Sequence, residues 1–174
     1  SSINFVGMDN QMPKQQITIR PIAQQDNPSI AKIIRSTLEE FGANKPGTVY
    51  YDASTDHLFE LFQTKGAGYF IAEVKGEMMG GGGYFHSDGL PEDTCELVKM
   101  YLKPQSRGKG IGAAIILRSM EDAKKNGFTK MYLETMPELK QAITAYEKFG
   151  FEYLNGPMGN TGHHGCSVWM CKSL

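Results

Sequence analysis

Two periodicities alternate along this chain. Ile17-Thr18-Ile19-Arg20 alternates apolar and polar residues and stops at Pro21, which predicts a short strand. Asn27-Pro28 then reads as a cap with proline at the first helical position. Behind it Ile30, Ile33, Ile34, Leu38 and Phe41 recur at helical spacing, and Gly42 closes the run. Residues 43–51 read as loop, and 54–64 as a second helix closed by Gly66. Strands are predicted over 68–74 and 78–85, a hairpin turning at Lys75-Gly76-Glu77. The glycine run 80–83 is unusual in a strand and predicts a bulge or a close approach by another group. A strand over 95–102, a helix over 110–125 and a strand over 130–135 follow. The chain finishes with a helix over 137–149, ended by Gly150, and strands at 151–154 and 166–171 around a long Gly-rich loop.

The order is therefore β-α-α-β-β-β-α-β-α-β-β, and 174 residues suit one domain with a real core, assigned here to residues 17–174. Residues 1–16, Gln-rich and with a proline, read as a loosely ordered lead-in. A net charge of −1 creates no field favouring nucleic acid or an anionic membrane. The longest apolar run is far too short for a spanning helix. Ser1 to Asn10 has neither a basic start nor an apolar h-region, so no signal peptide is visible. Cys95, Cys166 and Cys171 cannot close a disulfide set, which suits a reducing cytoplasm.

The chemistry concentrates after the strand over 95–102. Gln105-Ser106-Arg107-Gly108-Lys109-Gly110-Ile111-Gly112 joins that strand to the next helix. A strand, a basic glycine-rich turn and a helix N-terminus form a cradle for pyrophosphate, through outward N–H groups and the helix dipole. The G-x-x-x-x-G-K-[ST] string of nucleotide triphosphatases does not occur. Gly108, Gly110 and Ala113 satisfy the permissive dinucleotide pattern. They lie past the middle of the chain, and too little sequence follows for a doubly wound sheet, which weighs against an NAD-binding oxidoreductase. Arg107, Gly110 and Gly112 give R-x-x-G-x-G instead.

That string resembles the acyl-CoA pyrophosphate loop of the GNAT superfamily of N-acetyltransferases. Ala142, Tyr146, Lys148, Gly150 and Phe151 also resemble its A-x-x-x-Y-x-K-x-G-F signature. The resemblance runs from about Ile17 to the end of the chain. It implies an α/β (α+β) fold of three layers, a mixed, centrally splayed sheet flanked by helices, with acyl-CoA inserted at the splay. It implies cofactor contacts from Arg107, Gly108, Lys109, Gly110, Ile111 and Gly112, and from the backbone of Met100, Tyr101 and Leu102. The activity implied is transfer of an acetyl group from acetyl-CoA to a primary amine, the acceptor taken as a small molecule. The alternatives are a non-catalytic acyl-CoA sensor and a protein or peptide N-acetyltransferase. Final strands are often packed between chains in relatives, which is compatible with a homodimer. Many relatives carry asparagine three residues before the alanine matching Ala142; here that position is Leu139.

Direct acyl transfer needs a proton acceptor for the amine and a proton source for the leaving thiolate. Glu96 is the candidate base: on its strand it is in phase with Val98, Met100 and Leu102, an apolar face where a carboxylate is out of place. The other reading is a solvated strand-end carboxylate. Glu134 is the rival base, in phase with Lys130 and Tyr132 on a more polar face. Tyr146 is the candidate acid, on an apolar stripe with Leu139, Ala142 and Ile143; the plainer alternative is a core tyrosine. No metal is expected, because His163, His164 and Cys166 have no second cluster to complete a ligand set. Tyr50, Tyr51, Asp52 and His86 lie in or near loops that could line the acceptor cleft, and ordinary surface is the preferred reading of each.

Overall fold

The computed structural model describes residues 16–174; the predicted lead-in, but for Gln16, lies outside them. Seven strands form one sheet: β1 (Ile17–Pro21), β2 (Gly68–Val74), β3 (Glu77–Phe85), β4 (Thr94–Leu102), β5 (Lys130–Thr135), β6 (Glu152–Tyr153) and β7 (Val168–Ser173). Their order across the sheet is β1-β2-β3-β4-β5-β7-β6. Four α-helices flank it: α1 (Asn27–Glu40), α2 (Leu58–Leu61), α3 (Ile111–Lys125) and α4 (Lys140–Lys148). The expected three-layer mixed sheet is thus present, and no helix of the described residues is long and apolar enough to cross a membrane.

Strand alternation divides the core between the two faces. Tyr69 and Ile71 of β2 pack with Ile30, Ile34 and Leu38 of α1. Ala72 and Val74 pack with Ile111 and Ile115 of α3, and Phe70, Leu97 and Leu133 pack with Ile116 of α3 and Tyr146 of α4.

Several local readings are corrected. The predicted helix 54–64 is a 3-10 turn at Ala53–Asp56 followed by the single turn of α2. Asn27 does not cap its own helix. A 3-10 turn at Gln24–Asp26 runs straight into α1 and leaves Asp26 at the cap position. Asn27 instead turns to α2, accepting from the Phe59 N–H at 2.9 Å and donating to Glu60 at 2.6 Å. Helix α4 starts three residues later than predicted, because Leu139 takes a non-helical conformation.

The glycine run meets both expectations placed on it. The β3–β4 register shifts between Gly81 and Gly83, so two β4 residues, Lys99 and Met100, oppose Gly82, and Lys99 takes φ 52°. A Cβ on Gly83 would lie 2.1 Å from the Gly68 carbonyl oxygen. Gly83→Ala is therefore expected to lower stability by about 3 kcal/mol, a drop in melting temperature of roughly 6–12 °C by calorimetry. An unchanged melting temperature would mean that β2 and β3 do not approach this closely.

The bulge also changes which β4 residues share a face. Glu96 was expected in phase with Val98, Met100 and Leu102. Val98 and Tyr101 pack on the α1 side, whereas Met100 and Leu102 pack with Ile111 and Ile115 of α3. The extra residue at Lys99 inverts the alternation, so Glu96 goes with Val98 and Tyr101.

Candidate active site

The sheet forks in its middle. Parallel strands β4 and β5 pair only at Thr94↔Lys130, Cys95↔Met131 and Glu96↔Tyr132. Beyond Glu96 the β5-facing edge of β4 has no strand partner, and a cavity of about 1010 Å³ opens between the strands. It runs from Glu96, His163 and Cys166 past Met100 and Tyr146 to Gly108 and Gly110. Of the catalytic and cofactor candidates, Glu96, Met100, Tyr101, Leu102, Arg107, Gly108, Gly110, Gly112 and Tyr146 line this cavity, while Lys109 and Ile111 adjoin it in sequence.

At one end lies the cradle. Gly110 sits at the N-cap of α3 with φ 80°, and Gly108 has φ 74°, left-handed conformations that glycine adopts without strain. A Cβ on either would point into open space. Gly112 serves packing, since a Cβ there would meet Leu102 and Met100 at 3.2 and 3.3 Å. Ile111 is buried, so it can offer only its backbone N–H, one of the unpaired donors of the first helical turn. Arg107 is engaged elsewhere. Its guanidinium makes two bonds to Glu40, at 2.6 and 3.0 Å, and lies over the Phe41 ring at 5.0 Å. The Arg107 hydrogen bond holds the Glu40 carboxyl below its usual range. Side-chain charge for an anion is thus left chiefly to exposed Lys109.

Tyr146 lies midway, 6% exposed, its ring edge-on to Phe151. Burial pushes its phenol well above the usual tyrosine value, so it stays protonated and able to donate. Its hydroxyl has no hydrogen-bond partner among the described residues. Leu139, at the position where the resemblance implied asparagine, is buried against the α1-side core. A polar group there would need a partner that this apolar cluster lacks.

At the fork, five ionisable side chains converge from four segments. The Glu96 and Glu134 side chains are each 3% exposed and His163 is 13% exposed. His163 Nε2 lies 3.0 Å from Asp52 Oδ2, while Nδ1 lies 3.5 Å from Glu134 Oε1 and 3.8 Å from Glu96 Oε2. Lys99, buried, reaches Asp52 at 3.3 Å. Burial opposes a charge on the His163 ring. The hydrogen bond to Asp52 and the facing carboxylates of Glu134 and Glu96 outweigh it, and its pKa is pushed up to about 11. Burial lowers that of Lys99, against the pull of Asp52. Burial also opposes the Asp52 and Glu134 charges, but both carboxyls are held below their usual range. For Asp52 the opposing groups are His163 and Lys99; for Glu134 they are His163 and the Thr161 and Tyr132 hydroxyls.

The two carboxylates differ in what they have left to offer. Glu134 takes a hydroxyl donor on each oxygen, Tyr132 on Oε2 at 2.6 Å and Thr161 on Oε1. Glu96 takes Ser87 on Oε1 at 2.5 Å, and its Oε2 has no hydrogen bond among the described residues. Glu96 is therefore a buried carboxylate with one oxygen open to the cavity, not the solvated strand end that was its alternative.

Asp52 was expected as ordinary surface and His163 only within an incomplete ligand set with His164 and Cys166, while Lys99 was not expected at the site. Asp52 and His163 are 111 residues apart, and nothing local links them. Lys99 did carry a signal, a lysine inside an apolar strand run. Of the other loop candidates, Cys166 lines the cavity with its thiol pushed up to about 12 by burial, and His164 is exposed. Tyr50 bonds Glu39, Tyr51 is 60% exposed, and His86 bonds the Pro91 carbonyl.

A fork filled by a cavity, with a glycine cradle at its far end, is the arrangement that the resemblance implied. Residues 30–151 match the family model described as Acetyltransferase (GNAT) family. The chain belongs to the GNAT acetyltransferases. It is 41% identical to the uncharacterized N-acetyltransferase YjgM of Escherichia coli (strain K12), over 95% of this chain and 99% of that protein. It is 28% identical to the IAA acetyltransferase of Azospirillum brasilense, over 71% of this chain and 80% of that one. In fold it is similar to a GNAT-family acetyltransferase from Staphylococcus aureus Mu50. That match has a TM-score of 0.79 at 16% identity, covering 91% of this chain and 99% of the other. YncA from Salmonella typhimurium, solved with its cofactor acetyl-CoA, has a TM-score of 0.70 at 19% identity, over 91% and 94% of the two chains. The GNAT domain and these homologues make the protein an acyltransferase enzyme.

Proposed function

We propose that this enzyme moves an acetyl group from acetyl-CoA directly to a primary amine of a small molecule, with Glu96 as base and Tyr146 as acid. The observation that carries the reading is Glu96 Oε2. It is the open oxygen of a buried carboxylate, without a hydrogen bond among the described residues, at one end of a cavity whose other end is the glycine-rich turn.

Acetyl-CoA fits the cavity's polarity from end to end. N–H groups at the start of α3, with Lys109, receive the pyrophosphate. The unpaired edge of β4 at Met100, Tyr101 and Leu102 offers backbone groups to the pantetheine arm and the thioester carbonyl. YncA and the PaiA N-acetyltransferase of Thermoplasma acidophilum, fold neighbours of this chain, were solved with acetyl-CoA and coenzyme A. The acceptor enters at the fork as an ammonium, drawn by three carboxylates against two cationic side chains. Glu96 takes its proton, the neutral nitrogen attacks the thioester carbon, and the tetrahedral oxyanion collapses with release of thiolate. Tyr146 donates a proton or a hydrogen bond to that sulfur. This chemistry itself needs no metal.

Tyr146→Phe keeps the ring and removes the donor. Turnover is expected to fall about 10-fold or more, with acetyl-CoA affinity changed less than about threefold. Equal turnover in mutant and parent would remove Tyr146 from the proton path. The overall reading is tested by thiol release from acetyl-CoA across a panel of primary amines. Amine-dependent release supports it. Binding of acetyl-CoA with no release for any amine would favour the sensor.

A further inference from the structure

We infer that Glu96, Glu134 and His163 form a binding site for one divalent transition-metal ion of the zinc class at the fork. One ligand atom from each lies within 4.8 Å of the others. The decisive feature is the spacing around His163 Nδ1. A charge-assisted N–H···O bond would close to about 2.7–2.9 Å. The ring nitrogen instead stands 3.5 Å from Glu134 Oε1 and 3.8 Å from Glu96 Oε2. Two ligands on one tetrahedral ion, bound at about 2.0–2.2 Å, stand about 3.3–3.6 Å apart. Both gaps are longer than a charge-assisted hydrogen bond, and the 3.5 Å one matches the edge of the coordination polyhedron.

The surroundings are those of a metal-binding histidine. Asp52 holds Nε2 at 3.0 Å, the outer carboxylate that fixes ring orientation, and the ion would take the place of the Nδ1 proton, which leaves to solvent on binding. Each ligating carboxylate is braced by hydroxyl donors: Tyr132 and Thr161 on Glu134, Ser87 on Glu96. One imidazole and two carboxylates with an open fourth position suit zinc, cobalt or manganese better than magnesium, which prefers all-oxygen sites. The cavity supplies the access path.

This departs from the sequence expectation of no metal, which looked for a ligand cluster near His163-His164 and Cys166. The set found takes His163 alone from that stretch, and its partners come from β4 and β5. Because the ion would occupy Glu96 Oε2, metal binding and use of Glu96 as a base exclude one another. The inference does not rest on the acyl-transfer reading, and its test involves no acetyl-CoA.

The test is calorimetric titration of chelator-stripped full-length protein with zinc sulfate. One equivalent should bind with a dissociation constant of about 10 µM or tighter. His163→Gln and Glu134→Gln should each weaken binding more than about 10-fold, and Asp52→Asn about 10-fold through its hold on the ring. Cys166→Ser should leave it unchanged. Magnesium should not bind at the same concentrations. Absence of zinc binding up to about 100 µM, or binding that survives His163→Gln but is lost in Cys166→Ser, would overturn the inference. Should the charge-neutral variants fail to fold, the cobalt spectrum of the wild-type protein decides. Weak ligand-field bands without a thiolate charge-transfer band support the site, and a thiolate band or no bands refute it.

Discussion

Glu96→Gln is expected to lower amine-dependent turnover about 100-fold while leaving the dissociation constant for acetyl-CoA within about twofold. The substitution keeps the side chain's shape and leaves a carbonyl oxygen to accept from Ser87, so folding should be little affected. What it removes is the oxygen facing the cavity that can take a proton. Glu134→Gln is the informative contrast. Both Glu134 oxygens already receive hydroxyl donors, so its loss should act through the position of His163 and Thr161, with a smaller fall in turnover. Steady-state kinetics on both variants check the assignment. A larger loss in Glu134→Gln than in Glu96→Gln would reverse the two roles.

Gly110→Asp should abolish acetyl-CoA binding at ordinary concentrations, by at least about 100-fold, or about 2.7 kcal/mol. The new Cβ meets no atom within 4 Å, and its carboxylate would repel the pyrophosphate in the proposed cradle. Part of the effect is on stability, since φ 80° costs an L-residue roughly 1–2 kcal/mol. Gly110→Ala isolates that part, carrying the strain without the charge. Calorimetry with acetyl-CoA on both variants separates the contributions. Unchanged affinity in Gly110→Asp would place the pyrophosphate elsewhere.

How much of this was legible in the sequence depended on how far apart the cooperating residues lie. The cradle is six consecutive residues, and the stripe that ends at Tyr146 repeats over about two helical turns. Both are local signals, and the structure brings both to the same cavity. The order of elements along the chain followed from alternation and glycine punctuation, whereas their order across the sheet did not. The face of β4 was misread because a bulge at Lys99 inverts the alternation, and bulges leave only indirect traces such as the glycines opposite. The second helix was overextended because an apolar run cannot distinguish a helix from two tight turns. The ion cluster was the largest omission. Asp52 and His163 come from two loops that close over the fork, tied at Gly47 and Gly165 by a 2.9 Å backbone bond. No periodicity in either loop encodes that meeting. Lys99 was the missed hint, a second charge in an apolar strand beside Glu96.

The most direct test of the central claim, that the fork holds acetyl-CoA, is a thermal-shift measurement with acetyl-CoA set against NAD and ATP. At about 100 times its dissociation constant a ligand adds about 2.7 kcal/mol, roughly 5–10 °C for a protein of this size. The account predicts that shift with acetyl-CoA alone, and its loss in Gly110→Asp. No shift with acetyl-CoA up to millimolar concentration, or an equal shift with NAD, would contradict it.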